Sequence, residues 1–348
     1  MKKILIFFIF FLCFPIHLLA LDIGATSAIL MDMDSNRILY AKDIYNVRSV
    51  ASISKIMTAV IAIESGKLDE VVTINDEIKK AYGSAIYIQV GEQLSLRDLV
   101  YGLMLRSGND AAYAIASYVG GDEFVQMMNN KAMEIGMKNT VFNNPCGLDE
   151  DGGNYSTAYD MAILTSYAMK LAEYRQIVGT EVYKLTTNKN TYIWHNKNKL
   201  LGQYNFITGG KTGYTKKALR TLVTTASKNN LNLVVVTLND GNDFKDHVKL
   251  FEYGFSNYQR KTLLKKGKVN IYDDLYYGIY NLEVNDNISY TLNKKDDVYL
   301  KFILDEKPHE GNVGTVLVMV NDEEVLSKPI IANKIIDTKK ESWIKKIW

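Results

Sequence analysis

The sequence predicts an α+β (mixed α/β) fold in which a helical block packs against an antiparallel sheet, followed by a small all-β sandwich. Three observations predict it. Strand-turn-strand patterns occur at residues 27–40 and again at 219–239. Between them, residues 95–175 read as mostly helical, so the two strand pairs are expected to meet in one sheet with helices around it. After "YQRKTLLKKGKV" the texture changes to short alternating runs such as "VYLKFIL" and "GTVLVMV", the pattern of a sandwich.

The chain opens "MKKILIFFIFFLCFPIHLLALD". Two lysines precede about sixteen mostly apolar residues, with small residues at Ala20 and Ala25, which is the pattern of a secretory signal peptide over residues 1–20. Export with cleavage follows. Cys13 lacks a preceding small residue, so no lipoprotein site is expected. Setting Lys2 and Lys3 aside leaves 39 basic against 39 acidic residues, and this balance gives no reason to expect a nucleic-acid partner. Cys146 is then the only cysteine, so no internal disulfide is expected and the residue reads as small buried packing. About 325 remaining residues suffice for two cores. The divisions expected are 21–258, 259–331, and a terminal segment 332–348.

Residues 27–40, "SAILMDMDSNRILY", place a turn at Asp34-Ser35-Asn36. The stretch "RSVASISKIMTAV", 48–60, starts a helix that runs to "AIESG", with Gly66 positioned to end it. "SLRD", Ser95 to Asp98, is a capping-box signal before "LVYGLMLR". "AAYAIASYVG" and "EFVQMMNNKAMEIGM" follow as helices. "LRTLVTTASKNNLNLVVVTLN" returns to strand, turn, strand, and a last helix at about 243–257 closes the first domain.

Three serines stand in 48–60, beside one lysine. On a helix, side chains three or four apart share a face while adjacent ones diverge. Ser54 adjoins Lys55 and Ser49 is six positions before it, whereas Ser52 is three before it. Ser52 therefore faces the amine. It also lies near a helix start, where unpaired N–H groups and the positive dipole end favour developing negative charge. A lysine serves as a base only if its pKa falls well below about 10.4. Burial among "IMTAVIAI" and a second ammonium both lower it. Farther on, "LRSGNDAAYAIA" puts Ser107-Gly108-Asn109 in the break between two helices, where a serine can pass on a proton and an asparagine can orient an amide. "TGGKTGYT" puts Lys211-Thr212-Gly213 in a glycine-rich strand that a ligand can approach closely. Lys211 and Thr212 suit a carboxylate, and Lys211 is a candidate for the second ammonium. Any one of these short patterns is weak by itself. Their occurrence together, in this order and in an exported chain, is the combination of β-lactamases and penicillin-binding proteins.

With those residues on the page, the chain resembles the low-molecular-mass penicillin-binding proteins, the serine-type D-alanyl-D-alanine carboxypeptidases of peptidase family S11. "DMDSNRILYAKD", "SVASISKIMTAV", "MLRSGNDAAYAIASYVGG", "NTVFNNPCGLDEDGGNYSTAYDMA" and "GGKTGYTKKALRTLVTTA" carry the resemblance over residues 25–258. It implies a β-lactamase/transpeptidase-like catalytic domain that removes the terminal D-alanine from peptidoglycan stem peptides and is acylated by β-lactam antibiotics. By the same resemblance Ser52 is the nucleophile, Lys55 its base and Ser107 the proton relay. Asn109, Lys211, Thr212, Gly213 and Tyr214 bind substrate, and the N–H groups of Ser52 and Tyr214 form the oxyanion hole. Asn154 and Arg220 depart from the family pattern, where histidine and glycine are commoner.

Other readings fare worse. A class A β-lactamase deacylates through a glutamate-held water. No Glu-x-x-Asn lies between Ser107 and Lys211, only Asp151-Gly152-Gly153-Asn154. An inactive wall-binding module would not need every motif residue. A Ser-His-Asp hydrolase has only His195, His247 and His309 to draw on, none in a recognisable motif. No metal or other cofactor is implied. In "ANKIIDTKKESWIKKIW", 332–348, Ile336, Trp343, Ile344, Ile347 and Trp348 share one helical face, and the segment carries five lysines against two acids. It is too short and charged to span a bilayer. It is expected to lie in the outer face of the cytoplasmic membrane, as the resemblance also implies.

Overall fold

Residues 27–32, SAILMD, are buried at every position, as a strand covered on both faces requires. In the computed structural model, which describes residues 21–150 and 152–335, this strand (β1, Ser27–Asp32) is the second of a five-stranded antiparallel sheet. Its partners are β2 (Ile38–Lys42), β3 (Ile207–Thr215), β4 (Leu219–Lys228) and β5 (Leu231–Leu238), in the order β2-β1-β5-β4-β3. The two expected strand pairs thus meet through β1 and β5, in register from Ser27 opposite Leu238 to Asp32 opposite Leu233. Asn36 turns the first hairpin at φ +57. Asn229 and Asn230 turn the second, both with positive φ, the two-residue geometry that matches strand twist. β3 is the sheet edge, and one side of its backbone faces away from the ladder.

The helical block is α1 (Lys55–Glu64), α2 (Leu96–Tyr101), α3 (Asn109–Val119), α4 (Phe124–Glu134), α5 (Ala158–Ala168) and α6 (Ala172–Val178); α7 (Asp243–Asn257) covers the other sheet face. α1 is buried at eight of ten positions and is the centre of the main core. Ser95 caps α2 in a reciprocal capping box with Asp98, as its sequence predicts. Gly66 ends the first helix region at φ +72. One expectation needs correction. The helix at the Ser-x-x-Lys stretch begins as a 3₁₀ turn, Ala51–Ser54, and becomes α-helical only at Lys55. The region 95–175 is mostly helical, as expected, with one long interruption. Residues 135–157 form an irregular loop, because Asn and Gly (Asn143, Asn144, Gly147, Gly152, Gly153, Asn154) supply side-chain hydrogen bonds and positive φ in place of a helix ladder.

From Tyr258 the chain builds a second core. β6 (Tyr258–Leu264) pairs with β9 (Ile288–Asn293). A five-stranded antiparallel sheet runs β7 (Gly267–Lys268), β8 (Tyr280–Val284), β12 (Glu323–Lys334), β11 (Gly311–Val320) and β10 (Val298–Leu304). Both sheets contribute to one apolar core around Val316, Val318 and Ile330. Ala332, Asn333 and Lys334, assigned to the terminal segment from sequence, belong to β12 and pair with β8. Their backbone continues the ladder although the apolar pattern has ended at Ala332. Arg37, in the first hairpin, joins the two cores. It donates to both Asp296 carboxylate oxygens and to Thr291 O, and lies over the Tyr258 and Tyr290 rings. Residues 1–20, expected to be a signal peptide, and the segment 336–348 lie outside the described residues.

His247 shows how α7 is seated. Its ring is buried between Thr224 of β4 and Thr237 of β5, with a Thr hydroxyl at each nitrogen. Burial lowers its pKa to about 3. The folded form therefore keeps the ring neutral where the unfolded chain, near 6.5, takes up a proton. Stability is fully retained above about pH 6.5 and falls as pH drops toward 3, by up to about 1.4 kcal/mol per pH unit. Wild-type protein is expected to lose more of its urea midpoint between pH 7 and pH 5 than a His247→Gln variant does. Equal losses would show that this ring is not held neutral.

Candidate active site

Ser52 sits on the 3₁₀ turn, where side chains three apart eclipse, and Lys55 Nζ stands 3.1 Å from its Oγ. The neighbouring serines are committed elsewhere. Ser54 Oγ donates to Ala51 O at 2.8 Å, and Ser49 Oγ to an Asp149 carboxylate oxygen at 3.1 Å. Ala51 enters the turn at φ +50, a left-handed backbone that costs a residue with a Cβ about 1–2 kcal/mol. Gly147 of the 135–157 loop packs against it at φ +82, so closely that a Cβ there would lie 2.1 Å from Ala51 O.

Lys55 is fully buried. Its ammonium has three acceptors: Ser52 Oγ, Asn109 Oδ1 at 2.6 Å, and the Cys146 carbonyl oxygen. Burial lowers its pKa to about 8; Cys146 opposes that shift and the Lys197 ammonium adds to it. Once neutral, the amine keeps two N–H groups, one each for the Asn109 and Cys146 oxygens. Its lone pair is then left for Ser52. Asn109 opens α3, but Gly108 occupies the cap position and the Asn109 side chain makes no cap bond. Instead its Nδ2 donates to Tyr82 O at 2.5 Å, which fixes the amide that holds Lys55.

Ser107 follows a π-helical turn, Gly102–Arg106, and takes φ +64. This turns its buried hydroxyl toward β3, where Lys211 Nζ donates to it at 2.9 Å and to Thr212 O at 2.7 Å. Lys211 is also fully buried. Its pKa lies well below the ordinary lysine value, first through burial and then through repulsion by Lys55 and Lys197. Thr212, Gly213 and Tyr214 continue along the edge strand. Together with Ser52 and Ser107 they line an open cavity of about 440 Å³. Gly213 is what lets the strand come so near the turn. A Cβ there would meet Thr221 Oγ1 at 2.4 Å and the Ser52 and Ile53 nitrogens at 3.1 Å. All eight residues singled out in the sequence therefore meet at one place.

The sequence reading missed three groups. Lys197, from the loop after residues 191–195, reaches the cavity wall and donates to Ser84 Oγ at 3.2 Å. Burial and then Arg106 lower its pKa. It acts on Lys55, and on Lys211 as well, in addition to the repulsion between Lys55 and Lys211 that the sequence suggested; "HNKNK" carries no mark of it. Asp110 accepts from Ile86 N at 3.0 Å and Tyr87 N at 2.7 Å, holding the segment that carries Ser84 over the cavity. Arg220, singled out only as a departure, lines the cavity with its guanidinium held on Asp243 through Nε and Nη2. The other departure, Asn154, is buried away from Ser52 and staples the loop. It accepts from Asn143 N and Asn144 N and donates to Asn144 O.

The arrangement pairs a hydroxyl with a buried amine of lowered pKa, beside an edge strand and a second buried lysine. It suits attack on a carbonyl carbon and capture of an anionic group. Comparison with known proteins agrees. The model of the D-alanyl-D-alanine carboxypeptidase family, peptidase S11, matches residues 16–242. A D-alanyl-D-alanine carboxypeptidase of Bacillus subtilis is 31% identical over 341 residues, 92% of this chain and 87% of that protein. The crystal structure of penicillin binding protein 5 from Haemophilus influenzae is similar with a TM-score of 0.78 at 28% identity, covering 89% of this chain and 97% of that one. That coverage exceeds what residues up to 258 alone supply, so the likeness reaches into the β-sandwich. A Streptomyces DD-transpeptidase structure covers 68% of this chain and 99% of its own, with a TM-score of 0.65 at 31% identity.

The close approach at Gly213 is testable by itself. Gly213→Ala is expected to lower stability by about 1–3 kcal/mol through overpacking. Gly241→Ala, at a position with nothing within 4 Å of the added carbon, is expected to change it little. Urea unfolding of both variants checks this, and equal midpoints would show that the strand yields freely.

Proposed function

The chain belongs to the D-alanyl-D-alanine carboxypeptidase family, peptidase S11, as a serine hydrolase of the bacterial cell wall, and from that premise we propose how its own residues perform the reaction. Ser52 Oγ attacks the carbonyl carbon of the penultimate D-alanine while its proton passes to neutral Lys55 Nζ. The negative charge that develops on the carbonyl oxygen is met by the N–H groups of Ser52 and Tyr214. Ser107, held by Lys211, relays the proton taken up by Lys55 to the amine of the departing D-alanine as the C–N bond breaks, which leaves Lys55 neutral and the Ser107 hydroxyl intact. Water then attacks the Ser52 ester and gives its proton to Lys55, which passes it to Ser52 Oγ as the ester C–O bond breaks, so that the shortened peptide is freed and the hydroxyl restored. Lys211 and Thr212 receive the terminal carboxylate, with Lys197 adding positive charge at the wall. Asn109 positions Lys55. β-Lactams acylate the same Ser52.

The observation that carries this reading is the lysine geometry. Ser52 Oγ lies 3.1 Å from Lys55 Nζ, and carbonyl oxygens of Asn109 and Cys146 take up the other two N–H directions. The chain is further proposed to divide into a cleaved signal over 1–20, a catalytic part over 21–258, a β-sandwich from 259, and a terminal basic segment. No helix among the described residues is long and apolar enough to cross a membrane. Attachment to the outer face of the cytoplasmic membrane is assigned to the terminal segment, supported by the four lysines of residues 336–348 and by tryptophans whose spacing fits one face of a helix.

Ser52→Ala is expected to abolish both D-alanine release from a pentapeptide and covalent labelling by a fluorescent penicillin. Ser54→Ala, which loses only the bond to Ala51 O, is expected to keep most of both. Full labelling of the Ser52→Ala protein would falsify the assignment.

The pH dependence follows from Lys55. The base works only when neutral, and its neutral fraction grows as pH rises through about 8. Thus kcat/KM is expected to climb from pH 6 to pH 9. Lys55→Arg, protonated throughout, is expected to be lower by about a hundredfold or more and to lack that rise. A flat wild-type profile over this range would show that another group is the base.

A further inference from the structure

The β-sandwich carries an exposed apolar patch that neither the reaction nor the core uses. It is formed by the stretch "IYDDLYYGIY", 271–280, between β7 and β8. Tyr272 is 74% exposed and Tyr277 69%, their rings 5.2 Å apart, and Leu275 and Ile279 are each about half exposed beside them. Tyr276, between them, is buried and its hydroxyl donates to Asp305 O at 3.1 Å. The loop is therefore anchored from within, and its apolar side chains are held outward by structure. Ile335 joins the same patch: its N–H donates to Ile279 O at 2.9 Å, and together they border a cleft of about 480 Å³. The chain thus leaves β12 at this patch, immediately before the basic segment 336–348.

We propose that the 271–279 loop is itself a membrane-contact surface, seated in the interface of an anionic bilayer next to the terminal segment. This rests on the attachment proposed above for that segment. Tyrosine suits such a site because its ring is apolar and its hydroxyl stays wet, and leucine and isoleucine beside it add area that can enter the acyl boundary. Two lysines stand at the patch: Lys268 borders the cleft and Lys334 ends the adjoining strand, with Glu283 opposite Lys268 and Glu310 accepting from Lys334 N. Asp273 is turned onto Leu275 N, and Asp274 is exposed. The sequence that follows Ile335 carries four more lysines, and basic residues near an anionic surface favour binding to it. Two contacts at one end of the sandwich restrict the orientation of the enzyme on the membrane, which a single terminal segment does not.

The test uses the mature protein, with the signal peptide removed so that its apolar run does not bind lipid itself. Sedimentation is measured with vesicles of phosphatidylglycerol and phosphatidylethanolamine, and with phosphatidylcholine vesicles for comparison. A loop variant carries Tyr272→Ser, Leu275→Ser and Tyr277→Ser, all exposed positions whose change leaves D-alanine release unaltered. A terminal variant carries Trp343→Ser and Ile347→Ser. The loop variant is expected to bind anionic vesicles about tenfold or more weakly than wild type. Binding equal to wild type overturns the proposal, and if the terminal variant alone loses binding the attachment of that segment still stands. Loss in the loop variant but not in the terminal one supports the loop and overturns the segment's part. Tryptophan emission without lipid separates the remaining occupant. If the terminal segment instead covers the patch, the loop variant shifts that emission to the red and binds vesicles at least as tightly as wild type, which also overturns the proposal.

Discussion

A buried lysine amine is the constraint on which this active site depends. Taking an unpaired ammonium out of water is costly enough that the group loses its proton or finds partners. Lys55 does both: its pKa falls to about 8, and it gathers acceptors from three separate parts of the chain. The turn supplies Ser52, α3 supplies Asn109 and the 135–157 loop supplies Cys146. Each contributor is then fixed in turn. Tyr82 holds the Asn109 amide, Asn154 staples the loop, and Gly147 allows the loop to press against Ala51. Much of the irregular structure near the site is thus explained as the scaffold for three hydrogen bonds.

That scaffold is under backbone strain, and the strain is local. Ala51 and Ser107 both adopt left-handed conformations, at φ +50 and φ +64, although neither is glycine. One immediately precedes the proposed nucleophile and the other is the proposed proton relay. Such conformations persist only where the surroundings over-determine them. Here the surroundings are the closed packing of α1 beneath the turn and the Lys211 bond to Ser107. Because β3 is a sheet edge, its outward N–H and C=O groups stay free of the ladder and border the cavity. The glycine at 213 lets them come within reach of the turn.

Much of this was legible in the sequence, for particular reasons. The spacing of three between Ser52 and Lys55 survives the change from α-helix to 3₁₀ turn, since both put such a pair on one face. The glycines of "TGGKTGYT" announced a close approach, and one occurs at Gly213. The two hairpins announced themselves through Asp-Ser-Asn and Asn-Asn turns. What the sequence concealed were interactions without local pattern. Lys197 arrives from a loop whose residues have no periodicity. Asp110 acts on backbone groups more than twenty positions away. The 135–157 loop was absorbed into a helical region because its order comes from asparagine side chains, which periodicity does not register. The last strand was cut three residues short because its apolar pattern ends at Ala332, while the pairing of Asn333 and Lys334 with β8 is a backbone matter that side-chain pattern does not register.

The choice of lysine over histidine as base follows from the company it keeps. Lys55 and Lys211 lie buried beside a cavity that Lys197 lines, and Asp243, a carboxylate at its wall, is already taken by Arg220. Two of these amines are fully buried, and repulsion among them holds their proton affinities down. A histidine in the place of Lys55 would start from about 6.5. The same burial would drive its proton affinity far lower, as it does for His247 at about 3, and leave it too weak a base for a serine hydroxyl. A lysine starts some four units higher, so the same desolvation brings it down to the working range. The positive field that adds to burial in lowering the proton affinity of Lys55 also attracts the carboxylate of a chain terminus. Once such an anion is bound, Lys211 and Lys197 are stabilised as ammonium ions, whose charge opposes protonation of Lys55. Attracting an anion and lowering the proton affinity of the proposed base are therefore two consequences of one clustering of charge.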